Sequence, residues 1–178
     1  IQVIFPPACE RDTISITIRK PSRNIIMLED FLRQGFFDYV KPVTLGITDE
    51  EKSMLSLLEG KRYREFLIQA VRTRKVIVIA GETGSGKTTF MKGLMQEVPL
   101  HERIITIEDV PELFLPNHKN HVHLFYPSEA TNESAVNSQK LLKSTLRMKP
   151  DRIMLAELRG GETFDLSLIH ISEPTRPY

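Results

Sequence analysis

The chain has 178 residues, of which 40% are hydrophobic and 26% charged, and its formal net charge is +1. A charge so close to zero gives no basis for bulk nucleic-acid or membrane binding. The single cysteine, Cys9, excludes an internal disulfide and a multi-cysteine metal site, so a reducing compartment is expected. No apolar run reaches the roughly 20 residues that a membrane-spanning helix requires.

The first part of the chain predicts the end of an α+β domain. Residues 1–5 and 13–19 have the pattern of two short strands, which we expect to pair antiparallel. A helix is predicted over 25–35 and a linker over 36–47, so the α+β remnant spans residues 1–35. The second strand should have a half-buried face, formed by Ile14, Ile16 and Ile18.

Residues 48–165 predict an α/β domain. Thr48 and Glu51 form a capping box that begins a helix running to about Glu59. Further helices are expected at about 62–74, 87–97 and 134–148, the first with Phe66, Leu67, Ala70 and Val71 inward. Near-continuous apolar runs are typical of parallel strands covered on both faces, and a weaker strand is expected at 121–125. These runs occupy residues 75–80, 103–109 and 152–157.

The motif G-x-x-x-x-G-K-[ST] lies between a predicted strand and a predicted helix, which is the setting of a phosphate-binding loop. Glycines let backbone N–H groups curl around phosphate oxygens, and the helix N-terminus adds further donors. Lys87 would reach the β- and γ-phosphates of ATP, and the Thr88 hydroxyl would ligate Mg²⁺. A glycine turn that merely caps a helix is the disfavoured alternative. The predicted nucleotide-binding residues are Gly81, Glu82, Thr83, Gly84, Ser85, Gly86, Lys87, Thr88 and Thr89.

Acidic residues end two of the apolar strands, where open α/β sheets bind their ligands. Glu108 and Asp109 end one strand, with Glu112 close behind, and Glu157 ends another. Either group alone could be a surface cap, but beside a phosphate loop we favour function. Glu108 is our first candidate for positioning the attacking water, and Glu157 for serving Mg²⁺ together with Thr88.

Arginines could stabilise charge on the transferred phosphoryl group, although any one of them could be a solvated surface cation. Arg159 follows Glu157 closely, and Arg19 could close over nucleotide from the other domain. The remaining candidates are Arg147 and Arg152.

Two other clusters have simpler explanations. His121 and His123 share a strand face near His118, which allows a metal site, but with no nearby cysteine a partly buried edge strand is favoured. The helix with Lys140, Lys143, Arg147 and Lys149 could touch nucleic acid, but a solvated helix face is favoured, so no direct nucleic-acid binding is predicted.

Several ordered stretches together resemble the traffic ATPases of bacterial type IV secretion systems. These belong to the superfamily that also powers type II secretion and type IV pili. The resemblance covers about residues 1–165 and rests on PPACERDTISITIRKPS, GETGSGKTTF, ERIITIEDVPEL, HVHLF and LRMKPDRIMLAELRGGETFD. It implies a homohexameric, RecA-like, Mg²⁺-dependent ATPase at the cytoplasmic face of the inner membrane. Its partners would be secretion-channel proteins of that membrane.

The resemblance also assigns residues. It matches Gly81–Thr88 to the Walker A loop, Glu157 to the atypical Walker B glutamate and Arg159 to the arginine beyond it. It matches Arg19 to an N-terminal arginine region that faces nucleotide. Glu108, Asp109 and Glu112 match an acidic box.

Two departures from the family suggest that the chain is truncated at both ends. Most of the family's N-terminal domain is absent, and residues 166–178 do not continue into its histidine-containing box. We expect this tail to be non-native, with a diverged ending as the alternative, and the ATPase domain of 48–165 to be incomplete. The expected parent function is an ATP-driven motor for substrate translocation or pilus assembly. The alternatives are a type II secretion or pilus-retraction ATPase, or a nucleotide-binding piece without turnover.

Overall fold

The computed structural model describes residues 1–38, 40, 46–131 and 133–157. Half of the predicted linker, the whole predicted tail and Arg159 therefore lie outside the described residues. The strands are β1 (Gln2–Ile4), β2 (Ser15–Thr17), β3 (Ile104–Glu108), β4 (His121–Phe125) and β5 (Arg152–Leu155). The helices are α1 (Leu28–Arg33), α2 (Asp49–Glu59), α3 (Tyr63–Arg72), α4 (Lys87–Met95) and α5 (Ser138–Thr145).

A three-stranded parallel sheet in the order β4-β3-β5 carries the main core. All five residues of β3 are buried, because this strand lies between the other two and its faces are covered. On one face of the sheet, Leu141 and Leu142 of α5 pack in the same core cluster as Ile105 of β3. The predicted parallel α/β arrangement of strands 103–109, 121–125 and 152–157 is confirmed.

The beginning of the chain packs on the same sheet. β1 and β2 pair antiparallel as predicted, with Val3 opposite Ile16. Cys9 and Leu124 form an isolated antiparallel β-bridge through their backbones, and the Phe125 N–H donates to the Ala8 carbonyl at 3.1 Å. The predicted half-buried face of the second strand is wrong, because no described element packs on it. Its residues are exposed: Ile14 at 56%, Ile16 at 58% and Ile18 at 68%.

Helices α2 and α3, both predicted from the sequence, contact each other in the structure. The Thr48 N–H donates to Glu51 Oε2 at 2.9 Å, and the Glu51 N–H donates to Thr48 Oγ1 at 3.2 Å, which confirms the capping box. On α3, Ala70 and Val71 are buried, whereas Phe66 and Leu67 are half-buried. Val71 joins a second core cluster with Met95, Val98, Ile104, Leu113 and Leu115. Within the described residues, no helix has the length and apolar character needed to cross a bilayer.

The predicted strand over 75–80 is wrong for this structure. No backbone hydrogen bond joins residues 76–80 to a described strand, and Val76 and Val78 are 64% and 72% exposed. Residues 75–80 and β5 both line a cavity of about 1530 Å³. The apolar run is present, but its residues pair with none of the described strands.

Hydrogen exchange distinguishes this structure from the sequence prediction. In the 178-residue chain, the amides of 76–79 should exchange close to the unprotected rate because they lack partners. The amides of Ile105 and Ile107 should be among the slowest, since they belong to the central buried strand. Equal protection of both segments, measured by NMR or mass spectrometry, would show that 76–79 is paired after all.

Candidate functional site

The glycine loop leads directly into α4. Gly86 precedes the helix with a φ of +86°, and Gly84 has a φ of +80°. Side chains with a Cβ rarely adopt these left-handed values, so both positions favour glycine. Gly86 is the N-cap residue of α4 and has no side chain that could accept a hydrogen bond from the first N–H groups of the helix. Such a helix start is suited to bind an anion.

Lys87 folds back across this loop. Its Nζ donates to the Gly81 carbonyl at 2.8 Å and to the Glu82 carbonyl at 2.7 Å. A Cβ at Gly81 would lie 2.6 Å from Ser85 Oγ, so a larger residue there would force the Ser85 side chain to rotate. The ammonium group is thus held at the mouth of the loop, where it can exchange carbonyl oxygens for phosphate oxygens.

The large cavity brings several predicted residues together. It is lined by the loop residues Gly81, Thr83, Lys87 and Thr88, and also by Arg19, Arg147, Arg152 and Glu157. Its volume exceeds the roughly 300–1000 Å³ of common ligand pockets because it continues between residues 75–80 and β5. Glu108, Asp109 and Glu112 do not line this cavity. One cavity is therefore lined by a lysine, a hydroxyl, a carboxylate and arginines, and the acidic box is not part of its lining.

Arg152 has a structural partner that the sequence analysis missed. Its Nε donates to Glu102 Oε2 at 2.6 Å, and the Arg74 guanidinium contacts Glu102 Oε1 at 3.0 Å. Glu102 is buried, so the two arginines compensate a carboxylate that would otherwise lack water. This network joins the end of α3, the segment before β3 and the start of β5. No local pattern could indicate it, because Arg74, Glu102 and Arg152 come from three separate segments.

Glu108 is completely buried, and both of its carboxylate oxygens accept hydrogen bonds from the protein. Oε1 accepts from the Thr106 hydroxyl at 2.5 Å and from His123 Nδ1 at 2.9 Å. Oε2 accepts from the backbone N–H groups of Glu112 at 2.9 Å and Leu113 at 2.8 Å. Burial alone would raise the pKa of Glu108, but the bonds from His123, Thr106 and the two amides hold it below its usual value.

These bonds bear on the predicted water-positioning role. In this arrangement Glu108 holds β3, β4 and the following loop together, and it does not face the large cavity. The other two acids of the box are also placed away from that cavity: Asp109 accepts a bond from the Val110 N–H at 2.9 Å, and Glu112 is exposed. The role of Glu108 in hydrolysis stays a prediction.

The network around Glu102 gives a direct stability test. Glu102→Gln should lower the free energy of unfolding of the 178-residue chain by about 3 kcal/mol, because it removes the buried charge that Arg74 and Arg152 share. Urea denaturation would measure the change. Glu97→Gln is the matched control, since Glu97 meets Arg72 at only 3.9 Å on the surface and should change stability by less than about 0.5 kcal/mol. Similar losses in both variants would contradict a specific role for the buried network.

The structure thus combines a parallel sheet flanked by helices, a glycine loop at the start of α4 and a lysine that folds across the mouth of that loop. Residues 47–171 match the model of the family described as "Type II/IV secretion system protein". The chain belongs to this family, which confirms the resemblance noted in its motifs.

Relatives and a solved structure agree with that assignment. The chain is 61% identical over 167 residues to "Type IV secretion system protein VirB11" of Brucella abortus, covering 93% of this chain and 46% of the relative. It is 47% identical over 168 residues to "Type IV secretion system protein PtlH homolog" of Bordetella bronchiseptica, covering 93% and 48%. A crystal structure of the VirB11 ATPase from Brucella suis in complex with sulphate matches with a TM-score of 0.85 and 56% identity. That match covers 96% of this chain and 50% of the other, so the chain spans about half the length of these proteins.

Proposed function

We propose that the full-length protein, meaning a VirB11-length chain that carries this sequence, is an ATP-hydrolysing motor subunit of a bacterial type IV secretion system. The observation that supports this most is the cavity that joins Lys87 and Thr88 to Glu157 and Arg19. The similarity to VirB11 supports the secretion system, and the ATPase title of the similar structure supports the reaction.

The side chains around the loop suit a nucleotide with its magnesium ion. Lys87 and the loop amides would bind the β- and γ-phosphates. A hydroxyl and a carboxylate are hard oxygen donors of the kind Mg²⁺ accepts, so Thr88 and Glu157 would serve the ion directly or through water. When bound, Mg²⁺ would neutralise charge on the phosphate oxygens.

Arg19 would supply positive charge from the beginning of the chain. It is exposed and lines the same cavity as Lys87. In other P-loop enzymes an arginine of this kind is worth roughly 10³–10⁵ in rate. We propose the same transition-state role for Arg19, and for Arg159 beyond Glu157.

The family supports a proposal for the assembly and the location. We propose a RecA-like domain in which residues 75–80 join the sheet of β3 and β5, and a homohexamer with nucleotide where domains and subunits meet. The ring would act at the cytoplasmic face of the inner membrane with the secretion-channel proteins. The exposed apolar segment at 76–78 and the open side of β5 support the first of these proposals, because both would be buried when the sheet is complete.

Lys87→Ala in the full-length protein should reduce ATP turnover at least about 100-fold, because alanine cannot replace the point charge on the phosphates. Nucleotide binding and phosphate release should be measured side by side, since binding without release in the unmodified protein would indicate a nucleotide-binding piece instead of a motor. Lys92→Ala, on the same helix, is the control and should retain turnover. Unchanged affinity and turnover in Lys87→Ala would refute the assignment of the loop.

The two candidate carboxylates should behave differently when each is changed to glutamine. Glu157→Gln should weaken Mg²⁺-dependent nucleotide binding or turnover, because it removes a carboxylate from the cavity. Glu108→Gln should bind ATP but hydrolyse it slowly if Glu108 positions water. Steady-state kinetics and thermal melting of both variants separate a role in hydrolysis from a role in folding. Parental turnover in Glu108→Gln would shift the water role to another acid, Asp109 or Glu112.

A further inference from the structure

The structure brings Glu10 to the paired histidines of β4. Glu10, His121 and His123 each offer one ligand atom, and these three atoms lie within 4.8 Å of one another. His123 is buried, whereas Glu10 and His121 are half-buried. All three line a cavity of about 390 Å³ that is separate from the one beside the glycine loop. No hydrogen bond to the Glu10 carboxylate comes from the described part of the chain.

The hydrogen bonds of His123 fix which of its ring nitrogens is free. Glu108 Oε1 can only accept as a carboxylate, so the His123 Nδ1, at 2.9 Å from it, carries the hydrogen. The Thr106 hydroxyl donates to the same Oε1 at 2.5 Å, and its oxygen lies 2.7 Å from His123 Nδ1. The Nε2 of His123 therefore has a lone pair available for a ligand bond.

His121 is oriented in the same way by a different partner. Its Nδ1 meets the backbone carbonyl of His118, which can only accept. This bond also places the hydrogen on Nδ1 and leaves the Nε2 lone pair free. Histidines that bind metals almost always donate their other N–H to a carboxylate or a backbone carbonyl, and here one histidine has each kind of partner.

We propose that Glu10, His121 and His123 form a binding site for a first-row divalent cation, with Zn²⁺ as the best match. Two imidazoles and one carboxylate are a donor set that suits Zn²⁺, with the fourth position left to water. Bonds of about 2.0–2.2 Å around a tetrahedral ion hold ligand atoms roughly 3.4 Å apart. The three ligand atoms, which lie within 4.8 Å of one another, would reach this spacing by small rotations of the Glu10 and His121 side chains, both of which are half-buried.

The ion would tie the beginning of the chain to the sheet. Glu10 directly follows Ala8, whose carbonyl accepts a hydrogen bond from the Phe125 N–H, and Cys9, which forms a β-bridge with Leu124. A ligand from this segment and two from β4 would make that contact depend on the metal. The ion would also keep His123 in the tautomer that donates to Glu108.

Metal binding to the 178-residue chain tests the site directly. Zn²⁺ titrated against a chromophoric chelator should bind one ion per chain, and Co²⁺ should give the visible absorption of a four-coordinate site. X-ray absorption of the zinc-loaded chain should show only nitrogen and oxygen ligands. Excess Zn²⁺ should raise the melting temperature, because the ion binds the folded state.

Glu10→Gln is the key variant, since a half-buried side chain near the surface can be changed with little risk to the fold. It should lower Zn²⁺ affinity by at least about tenfold and abolish the zinc-dependent rise in melting temperature. His121→Gln should do the same. The matched controls Glu129→Gln and His101→Gln alter exposed residues of the same types and should bind Zn²⁺ like the unmodified chain.

Three results would overturn the proposal. The first is the absence of saturable Zn²⁺ or Co²⁺ binding to the unmodified chain. The second is an unchanged affinity in Glu10→Gln with its metal-free melting temperature preserved. The third is a sulfur ligand in the absorption spectrum, which would assign the ion to Cys9.

Discussion

The buried carboxylate of Glu108 is the constraint on which much of the structure depends. It ends the central strand, and its oxygens accept from a hydroxyl, an imidazole and two backbone amides. A carboxylate that loses such partners inside a protein costs several kcal/mol, so the loop after β3 and the position of β4 are both fixed by it. The orientation of His123, and hence the geometry of the proposed metal site, follows from the same bonds.

The bonds of Glu108 belong to a polar cluster that lies outside the cavity beside the glycine loop. On one side, the glycine loop, Arg19 and Glu157 line the cavity of the proposed nucleotide site. On the other, Glu108 belongs to the cluster that connects His123 to Thr106 and the following loop. If Glu108 does position water during hydrolysis, it must give up bonds to His123 or to the loop amides. Catalysis would then be coupled to a movement of β4 or of that loop.

Several features that the sequence predicted are specified by neighbouring residues. The capping box at Thr48 and Glu51 is formed within one helical turn, and the glycine loop is formed within eight residues. Conversely, the apolar run at 75–80 indicates burial but does not specify which strand must pair with it. Glu10 and Glu102 were not predicted because their partners are distant in the chain and no local period connects them.

The most direct measurement is a crystal structure of the full-length protein with a non-hydrolysable ATP analogue and Mg²⁺. We expect phosphate oxygens on Lys87 Nζ and the loop amides, and the ion near Thr88 and Glu157, with Glu108 still bonded to His123. Phosphates bound away from the glycine loop, or a metal ion held without Thr88 and Glu157, would contradict the proposed nucleotide site.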